Sequence, residues 1–191
     1  MRSRIVRSPR LIGSHVAAAV VGAVLSSALL IPLAASAQPH AQADVSACFV
    51  PEERCTGKIV AALAGARTEI REQAFAFSSR PIAAALKAAH DRGIDVEAVV
   101  DRSNERHRGG VTDELVAAGI PVWVDWSPAI AHSKVIIVDR HLVIGGSFNY
   151  SAAADSRNAE NVTFIDSPDV AGWFLANWQA RRDVSEAWPA E

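Results

Sequence analysis

Cysteine is scarce in this chain: only Cys48 and Cys55 occur among 191 residues, and two thiols without a nearby second ligand pair exclude a zinc centre. A basic excess is absent too. The first 37 residues carry Arg2, Arg4, Arg7 and Arg10 and no acid, so without them 15 basic residues face 21 acidic ones, a net charge of −6. Such a chain does not hold polyanions by general electrostatics, and any such binding must come from a local cluster. No internal repeat is present, so no segment has a second copy within the chain to complete a two-part site.

Long apolar runs are also lacking, apart from residues 16 to 33. That run follows the four arginines and ends at Ala35-Ser36-Ala37, the pattern of a secretory signal peptide over residues 1 to 37. The expected destination is secreted or periplasmic, with no stable membrane span left after cleavage. The rival reading is an uncleaved anchor, because the run sits at the lower edge of the ~17 to 25 residues that span a bilayer. Gly22, Ser26, Ser27 and Pro32 weaken it. The remaining 154 residues match one domain of ~100 to 200. In an exported chain Cys48 and Cys55 are expected as a disulfide, and closing so short a loop stabilises by on the order of 2 kcal/mol.

Residues 38 to 47 read as a tether and 48 to 185 as the folded domain, with structure beginning near Val45. Thr56 is placed to cap a helix with Ile59, Leu63 and Ala66 at helical spacing, and residues 70 to 77 read as a strand. Ser79 and Pro81 start a second helix with Ile82, Leu86 and Ala89 as its inner stripe, and Gly93 stops it. Residues 94 to 100 alternate apolar and acidic, a strand with one wet face. A polar loop over residues 101 to 110, a short helix from Val111 ended by Gly119, and a strand from Pro121 to Asp125 follow. Strands over residues 131 to 139, 142 to 144 and 161 to 165 come next. Ser167-Pro168 opens a closing helix that packs through Trp173, Phe174, Leu175 and Trp178. The expected class is α/β, a mixed sheet flanked by helices on both faces.

The chemistry concentrates at His132-Ser133-Lys134. On a strand, side chains two apart share a face, so His132 and Lys134 point together, whereas Asp139 points away and is expected to support rather than touch substrate. Gly145-Gly146-Ser147-Phe148-Asn149 places Ser147 and Asn149 together, and Gly146 lets a ligand approach the backbone. A lysine, a hydroxyl and an amide beside an imidazole make a pocket for an anionic tetrahedral centre, with the imidazole as nucleophile or acid. A buried lysine without such a purpose is rare. His90, His107 and His141 are read as ordinary surface or core residues. Trp126 is expected to rim the pocket or simply to pack. Arg102, Arg106 and Arg108 form either a local basic patch or a solvated loop.

His-x-Lys-x4-Asp followed by Gly-Gly-Ser-x-Asn resembles the signature of the phospholipase D superfamily. Phe49-x-Pro51, Ala74-Phe75-Ala76-Phe77-Ser78, residues 135 to 139 and Asn158-Ala159-Glu160-Asn161 are similar to its small single-motif bacterial nuclease branch, over residues 48 to 182. The resemblance implies a phospholipase D-like fold and a phosphohistidine mechanism in which one His attacks phosphorus and a second protonates the leaving oxygen. It implies that Glu160 holds the imidazole and that neither metal nor cofactor takes part. Only one His-x-Lys is present, so a homodimer sharing its site at a two-fold axis is expected. Nucleic acid, DNA or RNA, is the expected substrate. A phospholipid head group is the alternative, and a non-catalytic polyanion-binding module is the third.

Overall fold

The structure, a computed structural model, describes residues 41–107 and 110–188; the expected signal segment and Arg108 lie outside them. Its elements are β1 (Asp44–Val50), α1 (Cys55–Ala64), β2 (Glu69–Ala74), α2 (Arg80–Asp91) and β3 (Asp95–Asp101), then a 3-10 turn (Arg102–His107). After it come α3 (Val111–Ala117), β4 (Val122–Asp125), β5 (Lys134–Val138), β6 (Leu142–Gly146) and α4 (Ala152–Ser156), and finally β7 (Glu160–Asp166), α5 (Pro168–Asp183) and β8 (Glu186–Ala187). The strands form one mixed sheet in the order β1-β7-β6-β5-β2-β3-β4-β8. β2, β3 and β4 are parallel, and β5 joins them antiparallel through β2.

Period-two alternation sorts the core onto two faces. Ile136 and Val138 of β5 join Ile70, Val100 and Ile144 in a cluster that includes Ile59, Leu63, Ile82, Leu86 and Leu115 from α1, α2 and α3. Val135 and Ile137 turn the other way, onto Ala171 and Trp178 of α5. All five β5 residues are buried for that reason: a strand covered on both faces loses its polar alternation. Glycines end two helices where the chain turns with positive φ, +88° at Gly93 and +85° at Gly119.

Several expectations change. β1, α4 and β8 were not foreseen, and residues 102 to 107 form a 3-10 turn rather than an open loop. Thr56 does not cap α1; the helix begins at Cys55, and the Thr56 N–H donates to the Asp155 carboxylate at 2.9 Å instead. A carboxylate brought from α4 outcompetes the local hydroxyl, which no local spacing rule anticipates. β5 starts at Lys134, so His132 precedes the ladder. Trp178 is buried as expected, whereas Trp173 is 41 % exposed. The disulfide Cys48–Cys55 is formed and ties β1 to the start of α1. Among the described residues no helix is long and apolar enough to cross a membrane.

Candidate active site

His132 is exposed at the end of the β4–β5 connection, yet its neighbours are held from both sides. The Ala131 N–H donates to the buried Asp101 carboxylate at 2.8 Å, the Ser133 carbonyl accepts from the Phe75 N–H at 3.0 Å, and Arg102 donates to the Ala129 carbonyl at 2.9 Å. Burial alone would raise the Asp101 carboxyl, but hydrogen bonds from Ser103 and Ala131 and the Arg102 charge outweigh it and hold the group below its ordinary value. The carboxylate therefore stays ionised as an anchor for the loop. Asp101 and Phe75 are positioning residues missed in the sequence, where Asp101 read only as the start of a polar loop.

The Phe75 ring brings His132 and Lys134 together. Its centroid lies 4.5 Å from the imidazole centroid and 4.9 Å from Lys134 Nζ. Lys134 is buried, and its ammonium donates to the His132 carbonyl at 2.7 Å. Burial pulls its pKa down while the nearby Glu160 carboxylate opposes the fall. An ammonium with so few partners is poised to donate to an incoming oxyanion.

Glu160 and Ser147 meet because β6 and β7 pinch together at Gly146. A Cβ there would lie 2.3 Å from the Asn161 carbonyl oxygen, and the glycine takes φ +147°; only glycine fits. Ser147 donates its hydroxyl to Glu160 and accepts the Asn161 N–H at 3.1 Å, while Asn158 donates to the second Glu160 oxygen at 2.9 Å. Within one chain the Glu160 carboxylate is thus bonded to Ser147 and Asn158 rather than to the imidazole. Asn149 is half-buried, with its carbonyl oxygen enclosed and unpartnered.

Asp139 does not join this group. It follows the far end of β5 in a tight turn with φ +51°, where its carboxylate accepts from the N–H groups of Arg67, Thr68 and Glu69 and from the Thr68 hydroxyl. Its separation from substrate comes from strand length rather than from the side of the sheet. His132 and Ser133 form the divide between two recesses of about 240 and 390 Å³. Pro128 and Ile130 supply the apolar wall of the smaller one; Trp126 is exposed but does not line it. Among the described residues no cluster of His, Cys, Asp or Glu could hold a metal ion.

One further group lies in the core. Glu72 of β2 is fully buried with both carboxylate oxygens unpartnered, and burial pushes its pKa up to about 8. The buried Tyr150 hydroxyl also lacks a partner, and burial together with the Glu72 charge pushes its pKa up.

The family model described as "Cardiolipin synthase, PLD-like domain" matches residues 59–181. A protein named phospholipase D from Rickettsia bellii is 44 % identical over 141 residues, 74 % of this chain and 70 % of that one. Human mitochondrial cardiolipin hydrolase is 32 % identical over 133 residues, 69 % of this chain and 53 % of that one. Among solved structures, the phospholipase D family member Nuc from Salmonella typhimurium superposes with a TM-score of 0.73 at 34 % identity, covering 78 % of this chain and 100 % of that one. NucT from Helicobacter pylori matches in fold, with a TM-score of 0.72 at 21 % identity over 77 % of this chain and 100 % of that one.

Proposed function

The chain belongs to the phospholipase D superfamily and is a phosphodiesterase, and from that premise we propose that it is an exported, homodimeric nucleic-acid endonuclease working through His132. The observation that carries this reading is the exposed His132 beside the buried Lys134 with no second His-x-Lys in the chain. Half a site on an open divide suits a second copy closing a cleft that admits a strand. The likeness to Nuc over the whole of that chain supports the same choice.

In the proposed reaction the His132 imidazole attacks phosphorus and forms an N–P bond. The leaving oxygen departs with a proton from the second copy's imidazole. Water then cleaves the N–P bond and returns that proton, which regenerates both rings. Lys134 donates to the phosphoryl oxygens as charge builds, while the single Ser147 hydroxyl proton stays on Glu160. Glu160 holds Ser147 in place, and its charge opposes the fall in the Lys134 pKa that burial causes. No metal is called for, because the ammonium and imidazolium supply the positive charge.

A second reading, hydrolysis of phospholipid head groups, draws support from relatives named phospholipase D and cardiolipin hydrolase and from exposed Ile130 and Phe49. To separate the two, mature protein in excess chelator is given plasmid DNA and dispersed phospholipid, with His132→Ala as control. Cleavage of lipid alone at low salt sinks the nuclease reading. The shared site is checked by titrating His132→Ala chains into wild type under conditions of subunit exchange. Activity then falls as the square of the wild-type fraction, and a linear fall refutes it.

A further inference from the structure

A polar recess of about 400 Å³ that no step above uses opens at the starts of α1 and α2, lined by Arg54, Ser78, Ser79, Arg80, Ser151 and Asp155 among others. Ser79 occupies the cap position of α2 but its hydroxyl does not cap the helix, and among the described residues it has no side-chain partner although the residue is only 5 % exposed. Pro81 brings no N–H, so the first-turn donors of α2, from Arg80 and Ile82, have no intrahelical acceptor. The acids nearby already have partners. Asp155 accepts from Thr56 N–H at 2.9 Å and faces Arg54 at 3.8 Å, and Glu114 pairs with Arg80 at 3.0 Å. Both guanidinium groups remain 75 % exposed. What the recess offers is an unpartnered hydroxyl on a residue only 5 % exposed, free helix N–H groups and two exposed cations, a donor set suited to a phosphate.

Its position relates it to Ser147, which the Glu160 carboxylate beside Lys134 holds. The N–H groups of Ser78 and Ser79 both donate to the Tyr150 carbonyl at 2.8 Å, and Ser151 of the recess lies four residues past Ser147, so their Cα atoms are at most ~14 Å apart. A nucleic-acid strand carries one phosphate per ~3.4 Å of duplex axis, so the span admits up to about four of them.

We propose that this recess is a second phosphate site, in which Arg54, Arg80 and Ser79 take a backbone phosphate of the nucleic-acid strand within four nucleotides of the scissile bond. It rests on the nuclease reading and deepens it, supplying the local cluster that an acidic chain requires.

The test compares a single-phosphate dinucleotide with a 12-residue single-stranded oligonucleotide in wild type and Arg54→Gln/Arg80→Gln. Both side chains are exposed, and an unchanged melting temperature shows that the fold is kept. We expect kcat/KM on the dinucleotide to stay level while that on the oligonucleotide drops about tenfold at low salt. The slope of log affinity against log salt, read on the His132→Ala background, should shrink by about 0.7, as expected for one phosphate no longer neutralised on a single strand. Ser79→Ala should give a two- to threefold part of the loss, and Glu114→Gln, which frees Arg80, should move the oligonucleotide value upward. Equal effects on both substrates, or none on either, overturn the proposal. Wild type that cleaves the dinucleotide as well as the oligonucleotide removes the site but leaves the nuclease reading; wild type that cleaves only phospholipid removes both.

Discussion

The two ends of β5 are five residues apart and follow opposite rules. At the Lys134 end a buried ammonium has a single carbonyl acceptor and an exposed imidazole beside it. At the Asp139 end a carboxylate accepts three backbone N–H groups and a hydroxyl. Burial would raise Asp139, but those hydrogen bonds outweigh it and hold its pKa below the ordinary value. A saturated polar group can do no further chemistry, because its lone pairs are committed to folding. A group left short of partners costs stability, and that cost is recovered only when a substrate supplies them. His-x-Lys-x4-Asp therefore joins a reactive end to a structural one.

The comparison breaks most directly at its reactive end. His132→Ala should lower phosphodiesterase turnover at least ~10⁴-fold with no change in melting temperature, since the side chain is exposed; a fall in stability matching that at Asp139 would erase the distinction.

Glu72 sharpens the comparison, being as short of partners as Lys134 but enclosed within the core. Its raised pKa means the folded state keeps a proton that the unfolded state gives up above about 4.5. The stability this confers is fully present below pH 4.5 and is lost as pH rises to about 8, a fall on the order of 5 kcal/mol. Glu72→Leu should flatten that window, as read by urea unfolding at pH 5, 6.5 and 8. A variant that keeps the wild-type slope would place the titration elsewhere.

At the structural end, Asp139→Ala leaves three N–H groups without their acceptor and should cost about 2 to 4 kcal/mol while kcat of the folded fraction holds. Loss of turnover without loss of stability would reverse the assignment. The smallest effect belongs to the Cys48–Cys55 disulfide: Cys48→Ala/Cys55→Ala should cost about 2 kcal/mol and leave kcat level, measured by denaturant midpoint and steady-state rate.

Legibility followed range of interaction. The helices α1, α2 and α5 and the strands β3, β4 and β7 were readable because each carries its own period and stop signals. β1 was not, since four of its first five residues are exposed and its partner β7 is more than a hundred residues away. α4 is five residues long, too short to show a helical period. In the site, His132, Lys134 and Ser147 could be named from spacing, and Glu160 from the family resemblance. The Asp101 anchor and the Phe75 ring could not, because each acts on residues at least 30 positions away, or as an aromatic among several. Proximity in sequence left Trp126 either to rim the pocket or to pack, and Ile130 and Pro128 took that wall when the connection folded back under Asp101.

By itself the sequence determined that the site suits an anionic tetrahedral centre, because an imidazole and an ammonium two residues apart stand beside a Gly-Gly-Ser turn, and its resemblance to the phospholipase D superfamily implied that this centre is a phosphodiester. It also determined that one chain supplies one such pair. The tertiary structure alone decided which polar groups are spent and which remain available. That depends on whether a distant N–H reaches a given carboxylate, as it does at Asp139 and does not at Glu72.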